Sequence, residues 1–166
     1  MIVAIIFLIF LFVCMIYDLK SRQVPNTLSL AALIGSGCYA IYQGSWMVVL
    51  LTVILIFLSD LQSRKLQITI AILLACLAYA IQPAVGVLSV AISGVWMMWL
   101  FGKMGGADVK LLLAALLFTL QPAILLPIFI IGGIQGLIAL IRKQTEIPFV
   151  VSVFAGSLWY LIGSYY

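Results

Sequence analysis

The sequence predicts an all-α fold, a polytopic transmembrane helical bundle of about eight crossings (six to eight), several of them short. Three observations predict it. The 166 residues are 67% hydrophobic and 7% charged, and mean hydropathy is +1.38; no soluble domain of this size has that composition. All charges, eight Lys/Arg and four Asp/Glu, fall in four short clusters. These are Asp18, Lys20, Arg22; Asp60, Arg64, Lys65; Lys103, Asp108, Lys110; and Arg142, Lys143, Glu146. The clusters recur roughly every 40 residues, enough for two crossings and a turn, since one crossing takes about 20 residues. They therefore share one membrane face. Each holds at least two Lys or Arg, which makes that face cytoplasmic.

The expected crossings are 2–18, 27–43, 46–60, 66–81, 84–101, 108–120, 123–141 and 149–166. The first reads as a retained crossing and not a signal peptide, because it lacks a basic start and a small-residue cleavage site. Gln43-Gly44-Ser45, Gln82-Pro83 and Gln121-Pro122 form short neutral turns on the uncharged face, where both termini also lie. The third and sixth crossings are shorter than a full span, so they tilt little, thin the bilayer locally or enter only partly. Irregular backbone near Gly105-Gly106 must line protein or water rather than lipid. Trp46, Trp159, Tyr160, Tyr165 and Tyr166 suit an aromatic belt on the outer side.

The chain reads as a single integral-membrane domain, 1–166, without a soluble domain or linker. Asp18-Leu-Lys-Ser-Arg and Asp60-Leu-Gln-Ser-Arg match in register, as a duplicated helical hairpin would. The net charge of +4 is a topology signal; eight basic residues spread over four loops make no patch for nucleic acid. Histidine is absent, which removes the usual general base and the usual zinc ligand. Cys14, Cys38 and Cys76 form no CxxC pair and read as packed small hydrophobes. No metal or cofactor is expected.

An acid is an expensive residue in such a chain, and all four stand at one membrane edge. Asp18 closes the first crossing, before a Pro25-Asn26 turn in which Asn26 or Thr27 can cap the next helix. Asp108 follows Gly105-Gly106-Ala107 and sits at or just inside the start of the sixth crossing, where the helix dipole favours a carboxylate. Taken singly, each reads as an interfacial or capping acid. Together they fit aspartyl proteolysis. Two close carboxylates share a proton. One activates water and the other donates to the scissile carbonyl, without a cofactor.

At these residues the chain resembles a family. Asp18…Val24-Pro25-Asn26 with Gly105-Gly106-Ala107-Asp108-Val109-Lys110 looks like the type IV prepilin peptidases, which are GxGD-type intramembrane aspartyl proteases. Ile147-Pro148-Phe149 followed by Gly156 is similar to that family's C-terminal segment. The small size resembles the peptidase-only members of Flp/Tad-like pilus systems, without the methyltransferase region. The resemblance implies an endopeptidase in the inner membrane of a bacterium. It would cut short basic leaders from type IV prepilin or pseudopilin precursors at the cytoplasmic boundary. It also implies catalytic Asp18 and Asp108, an active-site loop of Gly105, Gly106, Ala107 and Lys110, and supporting Arg22, Pro25 and Asn26.

Two departures stand out. Ala107 occupies the place of the family's second Gly. Asp18 and Asp108 lie 90 residues apart, longer than the family's usual gap, whereas Asp60 and Asp108 lie 48 apart, rather shorter. Asp60 is therefore the alternative to Asp18, although Gln67-Ile68 replaces Pro-Asn after it. Glu146 reads as a loop charge. The competing function is a small transporter or a pilus or secretion assembly scaffold, its acids coupling ions or anchoring helices. Transporters keep such acids near mid-bilayer, and these lie at an edge. The charge map makes a direct prediction: reporter fusions at residues 44, 83 and 122 should score as extracytoplasmic, and cytoplasmic signals there would overturn it.

Overall fold

The computed structural model of the protein describes residues 2–59, 63–143 and 147–165, with the backbone alone for Ala84 and Tyr165. Those residues form eight α-helices and no strand. The helices are α1 (Ile2–Ser21), α2 (Asn26–Tyr42), α3 (Trp46–Leu58), α4 (Arg64–Ile81), α5 (Pro83–Leu100), α6 (Gly106–Thr119), α7 (Leu125–Ile141) and α8 (Phe149–Tyr165). A 3-10 turn, Pro122–Ile124, leads into α7. Each helix is a run of Leu, Ile, Val and Ala ended by an identifiable breaker. Gly44 turns the chain after α2 with φ +80, and Gly102 does so after α5 with φ +67. Pro83 opens α5 at a position where its missing N–H costs nothing. Leu120 ends α6 in a left-handed conformation, its N–H bonded to the Leu116 carbonyl at 2.8 Å.

The helix ends agree with the sequence expectation to within about three residues, a typical uncertainty of boundary assignment. α1 runs one turn further than expected, so Asp18 lies inside it. α3 and α6 are short, 13 and 14 residues, or about 20 and 21 Å at the usual rise. α1, α4 and the stretch Pro122–Ile141 are long and apolar enough to cross a membrane. Large apolar side chains face outward along the bundle, among them Ile6, Ile9, Phe57, Leu73, Leu140 and Ile141. An apolar surface this extensive marks a membrane-associated chain.

The core is built round α6. Val109 and every side chain from Leu111 to Phe118 are buried, as expected of a helix apolar on all sides. α2 packs along α6, α8 along both α1 and α7, and α4 along α5. Phe7 of α1 and Tyr39 of α2 stack on Phe118, with ring centroids 4.2 and 4.9 Å away. Two expectations need correcting. Of the cysteines, Cys14 alone is packed; Cys38 and Cys76 are exposed on outward helix faces. Asn26 does not cap α2: it is the first helical residue, Pro25 holds the cap position, and no side chain caps the helix. Of the residues expected in an aromatic belt, Trp46 and Trp159 are exposed and Tyr160 is half-buried; the side chain of Tyr165 and all of Tyr166 lie outside the described residues.

Gly156 permits a close contact between α8 and α7. A Cβ there would sit 2.6 Å from the Ile128 backbone of α7, whereas one at Gly163 would meet nothing within 4 Å. Gly156→Ala should therefore destabilise the protein by about 1–3 kcal/mol, the usual cost of overpacking. Gly163→Ala should be near neutral. Thermal unfolding of both variants in detergent measures the difference.

Candidate functional site

The ends of α1, α6 and α8 meet at the charged end of the bundle. α1 ends because Arg22 turns left-handed, with φ 55 and its N–H bonded to the Asp18 carbonyl at 2.9 Å. That termination holds Asp18 in the last turn, where it is 7% exposed. Its Oδ2 accepts a hydrogen bond from the Val150 N–H at 3.1 Å. Val150 lies in the first turn of α8, whose N–H groups have no partner within the helix. One carboxylate thus satisfies a helix start 132 residues away in sequence and meets the positive end of its dipole.

Asp108 stands at the start of its own helix. It is the third residue of α6, half-buried, and its carboxylate lies against Gly105, the capping residue. A carboxylate at the third helical position is placed as the acid of a capping box is. The fit at Gly105 is close: a Cβ there would lie 3.1 Å from Asp108 Oδ2. Beneath the loop, a Cβ on Gly106 would lie 3.5 Å from Trp99 Nε1.

Asp18 and Asp108 line one cleft of about 420 Å³ and interact electrostatically. Arg22, Gln23 and Val24 form part of its wall, Gly105, Gly106 and Ala107 another, and Ile147 and Phe149 a third. Arg22 interacts electrostatically with Asp18. The cleft gathers parts of all three sequence elements, including the Pro-Phe segment. Other expected residues stay off its walls. Lys110 donates instead to the Asn26 side chain, joining α6 to the start of α2, and Pro25 precedes that junction. Asp60 and Glu146 lie outside the described residues, and no described residue of α3 or α4 lines the cleft.

Compared with known protein families, curated proteins and solved structures, the chain matches none.

Sequence reasoning missed the Val150 N–H and the tie between Asn26 and Lys110. It also missed the support behind α8, where the Ser152 hydroxyl donates to Gln135 Oε1 of α7 at 2.5 Å. A polar residue on each of two apolar helices was the available signal, but it carried no pairing. Chemically, two carboxylates in a half-enclosed cleft beside a small-residue loop can hold a proton and a water between them. The Asn26–Lys110 bond makes a separate prediction. Asn26→Ala and Lys110→Met should show a coupling of about 0.5–1 kcal/mol in a double-mutant cycle, modest because the bond is exposed. Unfolding in detergent measures it, and additive effects would remove the tie.

Proposed function

We propose that this chain is a membrane-embedded aspartyl endopeptidase that removes the short basic leader from type IV pilin-like precursors. One observation carries the reading: Asp18 and Asp108 line a single cleft at the charged end of the bundle. The small-residue loop and the Ile147-Pro148-Phe149 segment border the same cleft, so the three elements that resemble prepilin peptidases are neighbours in space. In this reading all eight helices sit in the inner membrane of a bacterium. The charged end is cytoplasmic, which agrees with the distribution of Lys and Arg.

The chemistry needs two carboxyl groups sharing one proton. The ionised group takes a proton from water as the water oxygen attacks the scissile carbonyl carbon. The protonated group donates to the carbonyl oxygen. The tetrahedral intermediate then collapses, the C–N bond breaks, and the leaving amine takes a proton back. Gly105, Gly106 and Ala107 leave room for an unwound substrate strand beside Asp108.

Two experiments test the reading. Co-expression of a prepilin with Asp18→Asn or Asp108→Asn should show leader removal reduced at least ~10²-fold, because Asn packs like Asp but cannot cycle a proton. Activity kept in Asp18→Asn and lost in Asp60→Asn would transfer the role to Asp60. Gly105→Ala should lower cleavage roughly tenfold or more, since its Cβ displaces the Asp108 carboxylate and small displacements of reacting groups are costly. Its backbone angles, φ −67 and ψ 148, suit Ala, so insertion should be normal. Full activity in Gly105→Ala would separate this loop from the chemistry.

A further inference from the structure

A second cavity lies along the helices that form one side of the cleft. It is a groove between α1 and α2, of about 170 Å³, walled by Phe7, Phe10, Ala31, Gly35, Ser36 and Phe118. Ser36 is 3% exposed, and its hydroxyl has no hydrogen-bond partner among the described residues. Ala31 and Gly35 stand one turn apart and are exposed. A Cβ on Gly35 would meet nothing within 4 Å. Small residues one turn apart allow another helix to approach closely within a bilayer. An acyl chain could fill the volume but would give the Ser36 hydroxyl no acceptor, whereas a helix brings polar side chains and backbone oxygens.

A similar pair, Ser93 and Gly94, lines the groove between α4 and α5. The difference lies in where the grooves lead. α4 gives the cleft no described residue, while α1 carries Asp18 and the turn into α2 carries Gln23 and Val24. At 1.5 Å per residue, Phe7 lies about 16 Å along α1 from Asp18, and Gly35 about 14 Å along α2 from its first residue, Asn26. The groove therefore stands at one height on both helices, in line with the cleft.

We infer that this groove seats the apolar helix of the substrate, the stretch that follows the bond to be cut. The inference rests on the peptidase reading of the cleft. A helix leaving the cleft beside α1 has the same rise per residue, so its residue about 11 positions past the cut comes level with Gly35. Its small side chains face the Ala31–Gly35 ridge, and a polar group or carbonyl of that turn meets Ser36.

The test uses the full-length protein with Cys14, Cys38 and Cys76 replaced by Ala, Gly35→Cys added, and Asp108→Asn to retain substrate. It is co-expressed with a type IV prepilin that carries a single Cys at successive positions after the cut, and the membranes are oxidised. Disulfide yield should rise and fall with a helical period and peak near position 11, and Gly94→Cys should give no such peak. In the otherwise unmodified protein, Gly35→Leu should raise KM for the precursor roughly tenfold, the loss of one close helix contact, with Gly94→Leu as the control. If wild type cleaves but neither the peak nor the KM change appears, the groove holds lipid and the inference is overturned while the peptidase reading stands. If wild type leaves the precursor uncut, the peptidase reading fails and this inference fails with it.

Discussion

α6 constrains the rest of the structure. It is short, apolar throughout its middle and buried on every side from Leu111 to Phe118. A helix so enclosed can carry polar groups at its ends alone. Asp108 stands at the beginning, where N–H groups await partners, and Thr119 at the close. The neighbours are arranged to cover this helix, so their ends collect round its ends. The cleft follows from that packing: whatever α1, α2 and α8 carry near their charged ends is brought to Asp108.

At that end the polar bonds are few and nearly all involve a helix start. Val150 N–H donates to Asp18, the Asp108 carboxylate lies against Gly105, and Lys110 reaches Asn26. The Asp18 bond explains how an acid can be almost fully buried at the end of an apolar helix. It receives a main-chain donor and a favourable dipole, neither of which requires another charged residue. Gln67 performs a comparable task between α3 and α4: buried, it donates to the Leu58 carbonyl at 3.0 Å. Single polar residues thus fix the positions of helices whose apolar surfaces would fit in several registers.

Most of the fold was legible in the sequence, because hydropathy and breakers encode helix extent locally. The eight helices, the short third and sixth, and the turns at Gly44, Pro83 and Pro122 were all visible there. Side-chain partners were not. Asn26 reads as a helix cap by local rules, yet its side chain accepts from Lys110, 84 residues on. Cys38 and Cys76 read as packed because they lie in apolar segments, but a helix facing lipid is apolar on its exposed side too, so hydropathy cannot tell inside from outside. The bond between Asp18 and Val150 depends on α1 lying against α8, a pairing that no periodicity expresses.

The two departures from the prepilin peptidase pattern have a physical account in this architecture. The 90-residue gap matters little in space. α2 follows Asp18 directly and packs along α6, so the sites at the starts of those two helices are neighbours whatever lies between them in sequence. α4, for its part, packs on α5 and contributes no described residue to the cleft. The described residues of α3 and α4 thus lengthen the sequence between Asp18 and Asp108 without entering the cleft that both carboxylates line. The alanine at position 107 is explained by where space is scarce. A methyl group at Gly105 would lie 3.1 Å from Asp108 Oδ2, whereas Ala107 already borders the cleft with its methyl group in place. In this chain the demand for the smallest residue falls on the capping position of α6, because the Asp108 carboxylate folds back across it.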